Sequence, residues 1–596
     1  MQTSLKSPTI SVLLSENARL RGDGTAFTVL ADGHEESDVL THGRLDREAR
    51  AIAARLQRSA RPGDRALVLA ADAGHFIRAF MACQYAGVIA VPVAPPLPLN
   101  NARQAATLRA IAQDCSAAFV LSGSTTPVRE PLRRFAPEVA GLGWIDVDTV
   151  PPGEAADFRA PSVEPEDIAF LQYTSGSTSL PKGVMVSHRA LLRNEEMFVA
   201  IMGTTEDDVL VSWLPLFHDM GLIGMVLHAT YLGAHLVVMP PLAFVQRPSR
   251  WLRAMTRYRG TVSGAPNFAL DLCLRRIPEE DRAAFDLSAW KVLFTGAEPI
   301  RPATVAAFAA AFAPRGLVPE AMQPAYGLAE ATLITCGAVR ERPPITLDVD
   351  HEALRAGRAV PGGDYRMIGV GKPRLSREIL VVDPDTRLAR PAGTVGEIWQ
   401  TGADVPLGYW GRPEETRETF GARLADTGAG PYLRTGDLGV LHEGELYVVG
   451  RLKDIVIVGG RNHYPQDIEA TAEAAHPWVR PGFCAAFAVE RDDREQVVLV
   501  AETRRPLGTW GAGTGGETGA GDGAPPPTLA EITRRIRAAV AVEHGIQLDD
   551  VLLVAPAAVP RTTSGKIKRR ACRSAYENGE FALAAEPGSR ALGGRV

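Results

Sequence analysis

Residues 172–187 read QYTSGSTSLPKGVMVS, and this stretch decides the fold. It packs four hydroxyls (Thr174, Ser175, Ser177, Thr178), two glycines (Gly176, Gly183) and one cation (Lys182) into a short polar loop. The apolar run Ile168-Ala169-Phe170-Leu171 leads into it. Such a loop suits a polyphosphate: glycine lets backbone N–H groups approach the anion, hydroxyls donate further bonds, and lysine offsets charge. It is not a Walker loop, because glycine rather than Ser or Thr follows Lys182. A Ser/Gly surface loop between a strand and a helix is the competing reading.

Outward from this loop the chain alternates helix and strand signals. Leu45, Ala49, Ile52, Ala53 and Leu56 repeat at helical spacing, and Ala66–Ala70 reads as a buried strand. Phe76–Tyr85 reads as a helix, and residues 87–93, 118–121 and 236–239 as further strands. Strands without polar alternation, separated by helices, predict an α/β fold of parallel sheets covered on both faces. Ligands in such folds sit beyond strand C-termini, where this loop lies.

Length and composition bound the rest. At 596 residues the chain holds more than one domain. With 46% hydrophobic and 22% charged residues it can bury a large core. A net charge of −5 and no long basic run argue against nucleic acid as the main partner. Lys566-Ile567-Lys568-Arg569-Arg570 is one candidate for a local basic patch. The six cysteines form no C-x-x-C pair, so buried reduced thiols are expected rather than a disulfide scaffold or zinc site. The N-terminus carries no signal-peptide pattern, and no apolar stretch makes a spanning helix, so a soluble cytoplasmic protein is expected.

Near residue 379 the texture becomes β-rich, a further boundary falls near 450, and residues 507–527 read as a flexible Gly/Pro-rich insertion. The expected division is 1–450, with a β-rich subdomain at about 370–450, then 451–454, then a smaller α+β domain at 455–596.

Five further islands carry chemistry. Phe217-His218-Asp219-Met220-Gly221 pairs a histidine with a carboxylate, though a structural contact at a helix start has the same pattern. Thr295-Gly296-Ala297-Glu298-Pro299 follows the apolar strand Val292-Leu293-Phe294. Tyr326-Gly327-Leu328-Ala329-Glu330 offers an aromatic for stacking and a carboxylate for Mg2+, a hard cation that prefers oxygen; taken alone, Glu330 is better read as a helix N-terminal charge. Asp437, in Arg434-Thr435-Gly436-Asp437, offers an acceptor for ribose hydroxyls or a turn aspartate. Arg561-Thr562-Thr563-Ser564-Gly565-Lys566 is a second Gly/hydroxyl/Lys cluster.

Together and in this order, the islands resemble the adenylate-forming superfamily of acyl-CoA ligases, luciferases and nonribosomal adenylation domains, over about Thr41 to Arg573. The finer resemblance is to its fatty acyl-AMP ligases. It rests on Pro215–Gly224, Gly264–Cys273 and Gly460–Glu469, and on a long segment at about 339–368. An insertion near that place is associated, in acyl-AMP ligases, with poor use of coenzyme A.

The resemblance implies a large N-terminal α/β domain of packed mixed and parallel sheets with helices and a small β-rich subdomain, followed by a small mobile α+β C-terminal domain. It implies activation of a fatty acid by ATP, with Mg2+, to an acyl-adenylate, releasing pyrophosphate. Transfer to the phosphopantetheine thiol of an acyl carrier protein would follow, at the start of a polyketide, lipopeptide or lipid pathway. The implied phosphate site is Thr174, Ser175, Gly176, Ser177, Thr178 and Lys182, with Glu330 for Mg2+. Gly296, Ala297, Glu298, Tyr326 and Gly327 would line the adenine pocket, and Asp437 and Arg451 would hold the ribose. Lys566 would be the catalytic lysine, Lys453 the hinge, and His218 would lie near the reacting carboxylate.

Candidate acyl-pocket walls are 222–234 and 261–271, with His228 and His235; His228-Ala229-Thr230-Tyr231 departs from a family run like Gln-Pro-Leu-Tyr. The rival readings are an acyl-CoA ligase of the same fold and a catalytically inactive nucleotide- or acyl-binding protein.

Overall fold

The computed structural model describes residues 7–96, 102–174, 181–340, 342–375, 377–458, 461–491, 494–504, 527–562, 566–581 and 583–584. The expected insertion at 507–527 therefore lies, except for Pro527, outside the described residues. The chain divides into two compact units. The first comprises Met1–Val349, Pro361–Thr435 and Gly439–Val448; the second comprises Asp350–Val360, Gly436–Leu438 and Val449–Val596. The division thus departs from a single boundary at 450 by drawing two short upstream segments into the second unit.

Two large sheets organise the first unit. The eight-stranded sheet runs in the order Ile334–Gly337, Met322–Gly327, Val292–Thr295, Val262–Ala265, Val209–Ser212, His235–Val238, Thr25–Leu30, Glu36–Thr41. The six-stranded sheet runs Gly143–Asp146, Phe119–Ser122, Arg65–Val68, Ile89–Pro92, Ile168–Thr174, Lys182–Ser187. Inner strands pair in parallel, as their unbroken apolar runs predict, but antiparallel strands close both edges of the first sheet and one edge of the second. Both sheets are therefore mixed, as expected of this fold class.

One large core joins residues of both sheets, such as Phe27, Phe170 and Phe294, with helix residues such as Phe80 and Phe198, and a second cluster covers the other face of the six-stranded sheet with Leu67, Val120 and Leu171. Helix Ala73–Ala86 is buried along nearly all its length. Asp72 caps its start by accepting from the His75 N–H, and Gly87, at φ 68°, ends it in the left-handed region. All six cysteines are buried and none is in a disulfide. Among the described residues no helix is long and apolar enough to cross a membrane.

One buried polar knot ties the β-rich part of this unit to the turn after Gly327. Arg377 is ion-paired with Asp404, both side chains almost fully buried, and it also donates to Gln400 Oε1 at 2.5 Å. Asn194 Nδ2 donates to Asp404 Oδ2 (2.6 Å) and to the Ile334 carbonyl (2.9 Å), while its Oδ1 accepts from the Ile334 N–H. Thr332, held at φ 68°, donates through Oγ1 to the Asp404 carbonyl at 2.6 Å.

The second unit is built on the sheet Val479–Arg491, Arg494–Thr503, Asp550–Val554, packed by helices Pro465–Ala475 and Leu529–His544. Within the segment at about 339–368, strands Thr346–Val349 and Tyr365–Ile368 pair, and helix His351–Arg355 between them belongs to the second unit. There Arg355 donates to His544 Nδ1 at 2.9 Å, and His544 Nε2 meets Thr471 Oγ1 at 2.8 Å. An arginine only donates, so Nδ1 accepts and the ring proton sits on Nε2. His463 lies in the same neighbourhood. Burial first and the Arg355 charge second push both histidines down to about 4.

Two consequences are measurable. Arg377→Ala leaves Asp404 as a buried carboxylate without its cation and should cost about 3–5 kcal/mol; a shifted urea midpoint reads this. The double variant with Asp404→Ala should recover part of the loss. Acid should also destabilise the fold. The unfolded chain binds protons at these histidines near pH 6.5 and the folded chain only near pH 4, so stability is lost as pH falls through that window. His42 and His188 of the first unit act in the same sense. The urea midpoint should therefore drop between pH 7 and pH 5, and His544→Gln should make the drop shallower.

Candidate active site

The polar stretch at 172–187 is a β-hairpin, not a strand-to-helix loop. Strand Ile168–Thr174 returns antiparallel as Lys182–Ser187, with Tyr173 opposite Gly183 and Thr174 opposite Lys182. Helix His188–Met202 starts only after the return strand, capped by Ser187. Ser175, Gly176, Ser177 and Thr178 lie outside the described residues. Thr174 Oγ1 is buried without a hydrogen-bond partner among them. A side chain at Gly183 would press on the Tyr173 ring at 3.0 Å, so glycine there lets Tyr173 lie across the hairpin and donate to Asp114 Oδ2 at 2.6 Å.

The return strand gains a second backbone neighbour that the sequence does not signal. Met185 N–H donates to the Gly408 carbonyl (2.8 Å), Leu407 N–H to the Met185 carbonyl (3.0 Å) and Trp410 N–H to the Gly183 carbonyl (2.8 Å). Gly408 sits at φ 122°, a conformation only glycine adopts readily. This pairing places the Tyr409 ring against Lys182, whose ammonium lies 5.0 Å from the ring centroid. Tyr409 also donates its hydroxyl to Glu330 Oε1 at 2.9 Å. Burial first, then the Glu330 charge, raises the Tyr409 phenol far above its ordinary range, so it stays a donor. Lys182 is ion-paired with Glu415, whose carboxyl is held below its usual range by that hydrogen bond and charge and by Arg412.

Glu330 stands on a short 3-10 turn, Ala329–Ala331, and not at the start of a longer helix. A Cβ at Gly327 would lie 1.8 Å from the Leu333 carbonyl oxygen, so the turn requires glycine there. Asn194 and Asp404 hold the far side of the turn through the bonds described above. The half-buried carboxylate, with one oxygen accepting from Tyr409, fits a hard cation that takes few protein ligands and fills its shell with phosphate oxygens and water. Among the described residues no group of three or more His, Cys, Asp or Glu forms a protein-only metal cage.

The 296–298 island lies beside Tyr326, because strands Val292–Thr295 and Met322–Gly327 are parallel neighbours. A Cβ at Gly296 would lie 2.6 Å from the Ala325 carbonyl oxygen, and Ala297 takes φ 68°. A non-glycine residue in that region carries strain, of a kind that gathers at binding sites. Glu298 Oε1 accepts from the Phe268 N–H at 2.5 Å, near the start of helix Asn267–Arg276, so its carboxylate also has a structural task.

His218 is half-buried on the turn before the short helix Asp219–Gly221, with its ring tilted against Phe217. Asp219 accepts from the Met220 N–H. Leu222–Leu227 is one turn of π-helix, a geometry often found at functional sites. Of the two histidines of the candidate acyl walls, His228 belongs to the core and His235 is half-buried. His228 is fully buried between Glu195 Oε2 (2.7 Å) and Thr204 Oγ1 (2.8 Å), and His235 meets Thr28 Oγ1 at 2.9 Å.

The remaining candidates are on the second unit. Asp437 lies within strand Leu433–His442 rather than in a free turn. It is buried and accepts from Arg451 Nε at 3.0 Å. Lys453 is exposed on the 3-10 turn Leu452–Asp454. Lys566 is half-buried at the foot of a loop, its N–H donating to Thr562 Oγ1 and its carbonyl accepting from the Thr562 N–H; Thr563, Ser564 and Gly565 lie outside the described residues.

The run 566–570 is not a free basic patch. Arg569 donates two 2.7 Å bonds to the Glu469 carboxylate and one of 3.3 Å to Asp454. Tyr409, Glu415 and Arg569 are the site-related residues that sequence reading misses. Each acts through a partner far away in the chain, and none stands in a phosphate-like composition.

The AMP-binding enzyme model matches residues 14–410. A medium-chain-fatty-acid--[acyl-carrier-protein] ligase, JamA, of Moorena producens is 38% identical over 96% of this chain and 95% of its own length. A long-chain-fatty-acid--AMP ligase, FadD32, of Mycolicibacterium smegmatis is 39% identical over 95% of this chain and 93% of its own. Among solved structures, the fatty acyl-adenylate ligase from L. pneumophila in complex with acyl adenylate and pyrophosphate superposes with a TM-score of 0.73 at 35% identity, covering 98% of this chain and 99% of that one. The hairpin, the Tyr409 bridge and these matches together place the chain in the AMP-binding enzyme family and, within it, among the fatty acyl-AMP ligases.

Proposed function

We propose that this enzyme joins a fatty acid to AMP in the cytoplasm and then passes the acyl group to the phosphopantetheine thiol of an acyl carrier protein. The observation that carries the reading is the cluster at the hairpin. A lysine of the phosphate-binding type and a carboxylate suited to a hard cation are bridged by one tyrosine.

In the first step a substrate carboxylate oxygen attacks the α-phosphorus of ATP, and the bond to pyrophosphate breaks. Two anions must meet, so the protein's task is to neutralise charge and align the groups. Lys182, Thr174 and the hairpin residues Ser175–Thr178 would hold the β- and γ-phosphates. Glu330, oriented by Tyr409, would hold Mg2+, which supplies charge neutralisation on the phosphates. Tyr326 and the 296–298 strand end would receive adenine, with Asp437 and Arg451 on the ribose hydroxyls. Lys566, a compact point charge, would stabilise the charge that builds between carboxylate and α-phosphate. His218 would border the acid. In the second step a thiol attacks the acyl carbonyl and AMP leaves. Lys453 would be the pivot that exchanges the two steps at one cleft.

Lys566→Ala should lower acyl-AMP formation by about 100-fold or more while ATP affinity stays within about 3-fold; ATP–pyrophosphate exchange at a near-normal rate would refute the role. A second assay incubates the enzyme with ATP, Mg2+ and carboxylic acids of graded length. Mass spectrometry then follows the acyl-AMP after coenzyme A or a holo carrier protein is added. Discharge by the carrier protein alone is expected, with Lys453→Pro slowing discharge more than acyl-AMP formation. Efficient acyl-CoA formation would assign the chain to the acyl-CoA ligases, and no acyl-AMP from any acid would make it a binding protein.

A further inference from the structure

The cation proposed to hold phosphate already has an anion. Lys182 is ion-paired with Glu415, at the first turn of helix Pro413–Phe420, and its side chain is only 16% exposed. Three features make this pair separable rather than fixed. Glu415 is 36% exposed, so water solvates its carboxylate once the lysine leaves. Its Oε1 is already 3.4 Å from Arg412 Nη1, so a second cation stands ready. Arg412 is itself held in place through Asp114, at 3.0 Å. On the other side, the Tyr409 ring keeps Lys182 at the hairpin whichever anion it faces. A carboxylate and a polyphosphate that share one ammonium repel each other, so the second anion to arrive displaces the first.

We propose that Glu415 is a built-in competitor for the phosphate site. It holds Lys182 until nucleotide arrives, falls back on Arg412 when phosphate takes the lysine, and recaptures Lys182 as pyrophosphate departs. The inference rests on the reading of Lys182 as a phosphate-holding residue. Its consequence is that the enzyme binds the phosphate end of its nucleotide less tightly than the hairpin alone would, which favours release of the product anion. No covalent step is involved.

Equilibrium binding of ATP and of inorganic pyrophosphate, each without acid substrate, tests this on the full-length chain. Glu415→Gln keeps the size and removes the charge. It should bind both anions about 3- to 10-fold more tightly, the scale of one partly exposed ion pair. Glu415→Ala should change affinity in the same direction, which guards against an effect of the glutamine itself. Arg412→Gln, which removes the fallback cation, should weaken both. Lys182→Ala should weaken both and abolish the gain from Glu415→Gln when the two are combined. If Lys182→Ala weakens binding while Glu415→Gln leaves it unchanged or weaker, Glu415 positions the lysine and the competitor proposal fails alone. If Lys182→Ala leaves both affinities unchanged, the phosphate reading of Lys182 fails and takes this proposal with it.

Discussion

Three backbone hydrogen bonds from residues 407–410 to the strand that begins at Lys182 set the geometry of the candidate site. Composition alone makes the 172–187 stretch polar and flexible. The added segment fixes where its cation stands, because Tyr409 alternates onto the face where Lys182 and Glu330 meet. The tyrosine ring flanks the lysine, whose ion-pair partner is Glu415, and its hydroxyl satisfies one Glu330 carboxylate oxygen without neutralising it. One residue thus contacts both the cation and the carboxylate of the candidate site.

Behind that contact the structure commits buried charge. Arg377, Asp404 and Asn194 hold the turn that carries Glu330 from the side away from Tyr409. Buried ion pairs seldom add net stability over apolar packing, but they fix geometry because every alternative arrangement leaves a charge unpaired. Thr332 at φ 68° is what this knot has to hold in place. Glu330 is therefore positioned twice, through its own oxygen and through its turn.

The sequence tells unevenly about this architecture. Parallel strands such as Arg65–Val68 and Val292–Thr295 were legible because burial on both faces removes polar alternation. The hairpin was not, since a run of Ser, Thr and Gly looks alike before a helix or a return strand, and only the partner of Val184 decides. The catalytic-type residues Lys182, Glu330, Asp437 and Lys566 stand out by type and neighbours. Tyr409 and Glu415 do not, because their meaning comes from contacts across more than 200 residues of chain. His228 misleads in the other direction. A histidine in a small apolar run looks like pocket chemistry, yet both ring nitrogens are spent on Glu195 and Thr204 inside the core.

The second unit applies the same logic with different groups. Arg569 follows Lys566 by three residues and binds Glu469 and Asp454, so the segment bearing Lys566 and the turn bearing Lys453 are tied to one half-buried carboxylate–guanidinium cluster. Burial alone would weaken the charge on Arg569, but the two carboxylates outweigh it and hold the guanidinium firmly protonated. Its positive charge is thereby spent inside the unit. The ion pairs of Arg569 explain why the 566–570 run looks like a basic patch in sequence and is anchored in structure.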